Sequence, residues 1–213
     1  ERAAISLAYL DSNGDADYTF YKEEPLAATD YSMPEFTDRD YFLFGSYYSI
    51  CPGLRPQVKD ILHAAHRAGT VIYYDINFRR SHIHQKQELL PVIQENCRLS
   101  SIVRGSADDF DILFGTRDPE EIYRKHISPF CPIFICTAGA GHIFICTPKG
   151  TYDFIVPQIP ANEIVSTVGA GDSFNAGFLC AMYNNAIRGD ALEDMDKVQW
   201  ESLVENGIKY SSQ

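Results

Sequence analysis

Ser166-Thr167-Val168-Gly169-Ala170-Gly171-Asp172-Ser173-Phe174-Asn175-Ala176-Gly177-Phe178-Leu179 is the stretch around which the rest of the chain is read. Three small residues, Gly169, Ala170 and Gly171, precede a carboxylate, and an amphipathic run follows. That order predicts a glycine-rich turn opening into a helix. The first N–H groups of a helix have no intrahelical acceptors and sit at the positive end of its dipole, so they can hold an anion. Gly169 and Gly171 lack Cβ atoms, which lets a phosphate approach the backbone closely. Asp172 does not suit an anion site by itself, because a carboxylate repels phosphate. It suits a base for a hydroxyl lying next to that phosphate. Donors for developing charge and a base for the nucleophile together describe phosphoryl transfer to an alcohol. The plainer alternative is that Asp172 is only a helix cap, a position that Asp favours.

Outward from this stretch, the chain reads as one globular unit over residues 1–213. A net charge of −11 argues against a nucleic-acid or anionic-membrane surface, though one pocket on an acidic protein can still be locally positive enough for ATP. No apolar run approaches the roughly 20 residues of a membrane span. The opening ERAAISLAYL is charged and strand-like, unlike a signal peptide. Cys51, Cys97, Cys131, Cys136, Cys146 and Cys180 lie in apolar surroundings without CxxC spacing, which predicts reduced core thiols in a cytoplasmic protein. A chain that opens on a strand without an initiator Met reads as part of a longer protein.

Residues 4–10 and 18–21 are apolar and aromatic runs around Asp11-Ser12-Asn13-Gly14-Asp15, a hairpin signal. Residues 25–40 read as a loop or hinge. From Tyr41 strands and helices alternate: strand 41–45, helix 54–68 ended by Gly69, strand 71–75, a helical region up to 97, strand 102–104 and helix 108–114. Strands 132–137 and 142–146 flank Ala138-Gly139-Ala140-Gly141, and helices 171–184 and 196–210 close the chain. This rhythm predicts an α/β fold, a doubly wound and mainly parallel sheet with helices on both faces. Ligands gather at the carboxyl ends of such strands.

The fourteen positions from Ser166 to Leu179 resemble the C-terminal signature of the ribokinase-like (PfkB) carbohydrate kinases, small-small-Gly-Asp followed by a small-residue helix. The resemblance implies that Asp172 is the catalytic base and that the amides of Gly169, Ala170 and Gly171 form an anion hole. Further stretches follow the same family order. Asp75-Ile76-Asn77-Phe78-Arg79 resembles the Asp-x-Asn-x-Arg motif of the fructokinase and 2-keto-3-deoxygluconate kinase branches. It implies substrate contacts for Asp75 and Asn77, with Arg79 reaching a phosphate or substrate oxygens. Arg104-Gly105-Ser106-Ala107-Asp108-Asp109 stands where the family has Lys-x-Asn-x-x-Glu, so Ser106 and Asp109 replace residues that organise the Mg²⁺ water shell. Thr137-Ala138-Gly139-Ala140-Gly141 is similar to the turn that contacts nucleotide phosphates and ribose, which gives Thr137, Gly139 and Gly141 to ATP. Asn206 stands where relatives pack by the adenine, and Lys22 where an Arg often lies near the substrate. Read without the family, these are an Asp/Asn turn, an acidic first helical turn, a Gly-rich hairpin and surface polar residues.

Three departures qualify the match. Ser166 and Val168 replace the Asp and Thr of members activated by a monovalent cation, so no K⁺ requirement is expected. The family's early strands, with the substrate Asp and a Gly-Gly turn, have no counterpart here. The segment beyond the last helix has none either. The resemblance implies an ATP- and Mg²⁺-dependent sugar kinase, fructokinase-like, with residues 1–30 running between sheet and a small β lid that allows a homodimer. A 2-keto-3-deoxygluconate kinase shares the Asp75/Asn77/Arg79 pattern. A non-catalytic, kinase-like binding protein would explain Ser106, Asp109 and Ser166, but not the intact Asp172.

Overall fold

The computed structural model describes residues 5–10, 16–21, 31–138, 141–158, 160 and 167–212. The first hairpin is present as an antiparallel pair, β1 (Ile5–Leu10) and β2 (Ala16–Tyr21), with Ile5 opposite Tyr21 and Leu10 opposite Ala16. It forms a sheet of its own. Its connecting turn, 11–15, lies outside the described residues. Of the segment read as a loop, residues 31–40 carry no helix or strand.

The main sheet is six-stranded, and its spatial order is its sequence order. β3 (Tyr41–Gly45), β4 (Val71–Asp75), β5 (Ile102–Ser106) and β6 (Ile133–Ala138) run parallel. β7 (His142–Thr147) and β8 (Gly150–Ile155) continue the sheet antiparallel. The crossovers carry α1 (Arg55–Arg67), then α2 (Lys86–Leu99), then α3 (Ala107–Phe114) with the short α4 (Pro119–Ile122). Each crossover steps the same way along the sheet, and crossovers of one hand stepping one way stay on one face. The other face is covered by α5 (Ala170–Asn184) and α6 (Lys197–Ser211). The expected mainly parallel sheet with helices on both faces is therefore what the chain forms.

β4 shows why its sequence reads as it does. All five residues of VIYYD are buried, as a parallel strand covered on both faces requires. Val71 and Tyr73 pack with Phe174, Phe178, Ala181 and Met182 of α5 and with Trp200, Leu203 and Val204 of α6. Ile72 turns the other way, to Leu62 and Ala65 of α1, and Tyr74 to Leu89 and Ile93 of α2 and Phe110 of α3. Full burial of a side chain such as Phe178 stabilises by about 1.5–3 kcal/mol.

α5 and α6 approach across two glycines. A Cβ on Gly177 would lie 2.5 Å from the Asn206 carbonyl oxygen, and one on Gly207 would lie 2.5 Å from the Phe174 ring. The small-residue character of the Phe174–Leu179 run is thus a packing requirement, and it seats the helix that begins at Ala170 against the sheet.

Candidate active site

Because β3 to β6 are parallel, their carboxyl ends, Gly45, Asp75, Ser106 and Ala138, share one edge of the sheet. A cleft of about 220 Å³ opens at this edge, lined by Leu43, Phe44, Gly45, Ser46, Asp75, Asn77, Asp172 and Asn175. Residues from three distant parts of the chain meet there, and Asp172, Asp75 and Asn77 are among them.

Asp172 is not the cap of its helix. The N-cap is Gly169, held at φ 84, a left-handed conformation that glycine adopts without a Cβ penalty. Asp172 is the third residue of α5 and exposed, and among the described residues its carboxylate has no hydrogen-bond partner. The Ser173 N–H donates to the Gly169 carbonyl at 2.8 Å, the first bond of the helix. The Ala170 N–H donates to Thr167 O at 3.2 Å, while Gly171 and Asp172 stand in the first turn, whose amides have no intrahelical acceptor. The open amides at the start of α5 and an exposed carboxylate therefore occupy one helical turn.

Beneath that turn lies a buried polar network. Arg104 Nη1 donates to Asp75 Oδ1 at 3.1 Å and Oδ2 at 3.0 Å, and Nη2 donates to Thr137 Oγ1 at 2.9 Å. Asn175 Nδ2 donates to Asp75 Oδ2 at 2.6 Å, and the Tyr73 hydroxyl donates to Asn175 Oδ1 at 3.0 Å. Burial by itself lowers the Arg104 guanidinium, but the neighbouring Asp75 carboxylate above all, with Asp109, raises it beyond its ordinary value. Burial pushes the Tyr73 phenol up, so it stays a donor. A Cβ on Gly171 would come within 3.3 Å of both terminal nitrogens of Arg104, so the guanidinium underlies the start of α5. In the sequence Arg104 and Asn175 stand only as members of motifs, and nothing adjacent to them announces a role.

Two residues on the cleft wall hold unusual backbone. Ser46 has φ 57 and ψ −167, a region almost restricted to glycine, and Asn77 has φ 41. Strain of this kind costs about 1–3 kcal/mol per residue and is retained where surroundings over-determine it. Here they do: the Ser46 N–H donates to Asp75 O at 3.1 Å, and Ser46 O accepts from the Ser49 N–H and hydroxyl. Gly45 is equally constrained, since a Cβ there would lie 2.0 Å from Asp75 O. The Gly45-Ser46 pair escaped sequence reading. Its signal is a Gly-Ser step directly after an apolar strand, at the ligand-binding edge of a parallel sheet.

On the other flank, Ser106 and Asp109 are committed to each other. The Ser106 N–H and hydroxyl both donate to Asp109 Oδ2 at 2.7 Å, and the Asp109 N–H donates to Ser106 Oγ at 3.1 Å, a reciprocal cap on α3. Burial raises the Asp109 carboxyl, against the lowering effect of the Ser106 bonds and Arg104. Asp109 Oδ1 makes no hydrogen bond among the described residues, so the pair would fit Mg²⁺ only through a water on that oxygen, a mode the ion tolerates when phosphates supply its other oxygens. Thr137 Oγ1 accepts from Arg104 and so has its own proton to offer a ligand oxygen.

The remaining expected residues are placed differently. Arg79 is half-buried and not among the cleft-lining residues. Asn206 turns its Nδ2 back to Ser202 O at 2.8 Å on its own helix. Gly141 accepts from the Val156 N–H at 3.0 Å through its carbonyl, just past the β6 end. Gly139, Lys22 and Ser166 lie outside the described residues.

Comparison with known proteins bears on the family and the fold. The chain is 29% identical over 187 residues to the aminoimidazole riboside kinase of Salmonella typhimurium, covering 83% of the chain and 55% of that protein. It is 24% identical over 203 residues to the 2-dehydro-3-deoxygluconokinase of Escherichia coli K12, covering 90% and 66%. The chain thus spans between half and two thirds of these curated relatives. In fold it is similar to the Vibrio cholerae fructokinase solved with fructose, ADP and calcium, with a TM-score of 0.77 at 20% identity, covering 99% of the chain and 65% of that structure. The family model described as pfkB family carbohydrate kinase matches residues 1–195. The chain belongs to the pfkB family of carbohydrate kinases.

Proposed function

We propose that the protein carrying this chain is an ATP-dependent sugar kinase that phosphorylates a primary hydroxyl of a small neutral sugar, fructose being the first choice. The observation that carries this reading is the exposed, unpartnered Asp172 in the anion-binding turn of α5, facing the cleft it lines with Asp75, Asn77 and Asn175. Asp172 takes the proton of the acceptor hydroxyl as its oxygen attacks the γ-phosphorus. The new O–P bond forms while the bond from phosphorus to the β–γ bridging oxygen breaks, and ADP leaves. The amides of Gly169 and Gly171 hold the phosphoryl oxygens, and that of Ala170 joins them once its bond to Thr167 O opens.

On the nucleotide side the reading assigns Thr137, Gly139 and Gly141 to the phosphates and ribose and Asn206 to the adenine edge. Asp109 with Ser106 would hold Mg²⁺ through a water, and the ion would supply positive charge against the phosphates. Asp75, Asn77 and Lys22 belong to the acceptor side, with Arg79 reaching the transferred group. A neutral acceptor is supported by the cleft lining, which among the described residues has two carboxylates and no cation. The β1–β2 hairpin is read as part of a lid and a contact between two copies, since Ile5, Leu7, Tyr9 and Tyr21 are all exposed large apolar side chains on it. Six free thiols, five of them buried, support a reducing, cytoplasmic setting. Among the described residues no helix is long and apolar enough to cross a membrane.

A second reading, 2-keto-3-deoxygluconate phosphorylation, is favoured by the similarity to the Escherichia coli enzyme together with the Asp75/Asn77/Arg79 pattern. ATP, Mg²⁺ and a panel of fructose, 2-keto-3-deoxygluconate and aminoimidazole riboside separate the readings, with ADP and phosphorylated product both measured. Fructose is expected to turn over best. Preference for the sugar acid establishes the second reading, and no turnover with any acceptor leaves a non-catalytic binding protein.

A further inference from the structure

Asn175 lies three residues past Asp172 on α5, and its side chain is 1% exposed. Few side chains could replace it where it sits. Its amide nitrogen donates to Asp75 Oδ2 at 2.6 Å while its amide oxygen accepts from the Tyr73 hydroxyl at 3.0 Å. Leu cannot make either bond, and an ionised carboxylate cannot make the first. Through Asp75 the contact passes to Arg104, and from Arg104 to Thr137. The carboxyl ends of β4, β5 and β6 are thereby tied to the first two turns of α5.

α5 is also held by apolar packing, at Phe174 beside Asn175 and at Phe178, Ala181 and Met182 farther along. Such packing sets where the helix lies and limits its rotation by shape, but its driving force is non-directional. Hydrogen bonds are directional and resist rotation about the axis. Residues three apart on a helix are neighbours on one face. A rotation that breaks the Asn175 bonds therefore swings the Asp172 carboxylate and the Gly171 amide with it.

Resting on the kinase reading above, we propose that Asn175 is a positioning residue: its bonds to Asp75 and Tyr73 fix the rotation of α5, and so the aim of Asp172 and of the anion-binding amides into the cleft. Arg104 completes the device from below, because it holds Asp75 in place for Asn175 and underlies Gly171 at the same time. Misplacement of a reacting group by an ångström costs a rate factor on the order of a hundred. The loss at the base therefore falls on kcat, since Asn175 aims it, while a loosened Asp75 adds any change in the acceptor KM.

Asn175→Asp tests this through pH. The titratable and charged groups facing position 175 are Asp75, Tyr73 and Arg104, with Asp172 on the same helix turn and Asp109 beyond Arg104. Two carboxylates at hydrogen-bond distance cannot both ionise freely, so the pair keeps one proton to a raised apparent pKa. Below it, the protonated side chain donates to Asp75 and accepts from Tyr73 as Asn does. Above it, both groups are charged and the tie breaks. The expected result is a variant-to-wild-type kcat ratio on the best acceptor that falls about tenfold or more as pH rises from 6 to 8. KM for ATP should change by about twofold at most, while KM for the acceptor can move further because Asp75 lies on the acceptor side.

Met182→Ala, a buried change farther along the same helix, serves as the comparison. It should lower Tm and leave the kcat ratio flat with pH. Asn175→Ala should lower kcat at every pH, with thermal melting reporting the folded fraction. A flat ratio for Asn175→Asp, alongside an active wild type, overturns the positioning role and leaves the kinase reading standing. A wild type that phosphorylates no acceptor overturns the kinase reading and the positioning role together.

Discussion

Arg79 and Asn77 are two residues apart, but only Asn77 lines the cleft. A guanidinium set back from the acceptor pocket contributes when the transferred group brings charge to it. Arg79→Met is therefore expected to lower kcat on fructose while its KM moves modestly, and steady-state kinetics check the split. If wild type prefers 2-keto-3-deoxygluconate and the variant loses that preference through KM alone, Arg79 binds a substrate carboxylate. The contrast with Asn175 shows what can be read from sequence at this scale. Asp172 stood out because its partners in meaning, Gly169 to Gly171, are adjacent to it. Asn175 and Arg104 did not, because Asn175 meets Asp75 across 100 positions and Arg104 meets Thr137 across 33. Nothing local marks an Asn in a helix as the partner of a distant carboxylate. Asn77 could be named as a site residue, and Asn is among the non-glycine residues that most readily take a positive φ.

At the scale of elements, the contact between α5 and α6 decides how firmly the active turn is seated. Gly207→Ala puts a methyl 2.5 Å from the Phe174 ring. Ala gains about 1 kcal/mol over Gly in a helix. Overpacking costs about 1–3 kcal/mol, and so close an approach belongs in the upper part of that range, so the overlap wins. Thermal melting should show a lowered Tm; an unchanged or raised Tm means the helices separate at little cost. On the opposite face Arg55 and Lys59 of α1 both contact Glu95 of α2, at 2.7 and 2.8 Å. Their hydrogen bonds hold the Glu95 carboxyl down to about 2, from an ordinary 4.5. A lowered folded pKa contributes stability above the unfolded value that is lost as pH falls through the folded one. Glu95→Gln should therefore lower Tm at neutral pH, and the gap to wild type should close as pH drops from 4.5 toward 2. A gap independent of pH would mean the ion pairs are idle. The pair is partly exposed, so the effect should be modest. Most elements were legible from periodicity, including the helix at Arg55–Arg67 and the strand at Val71–Asp75. β8 was not, because in GTYDFI only Phe154 is buried and the alternation is too faint to read. Nor was the short α4, whose Asp118 cap and Pro119 resemble an ordinary turn.

For the whole molecule, the parallel order of β3 to β6 does the decisive work. It gathers Gly45, Asp75, Ser106 and Ala138 at one edge, and α5 delivers Asp172 to that edge from the opposite face of the sheet. The fold class was readable because strand and helix patterns alternate, and the place of the candidate cleft because the motifs fall at strand ends. The order of the strands was not readable, since each apolar run fits any neighbour in a sheet buried on both faces. The choice of sugar depends on how the acceptor side is completed, for which Asn77, Ser46 and Gly45 supply one wall. All of it turns on whether Asp172 moves the proton. The most direct measurement is kcat for Asp172→Asn on the acceptor that wild type uses best, with ATP affinity measured alongside. A positioned base contributes about 10²–10⁴ in rate, so kcat should fall by that factor with ATP binding little changed. A variant that keeps more than about a tenth of the wild-type kcat would contradict the account, because a base lost from the reaction cannot leave so much of it behind.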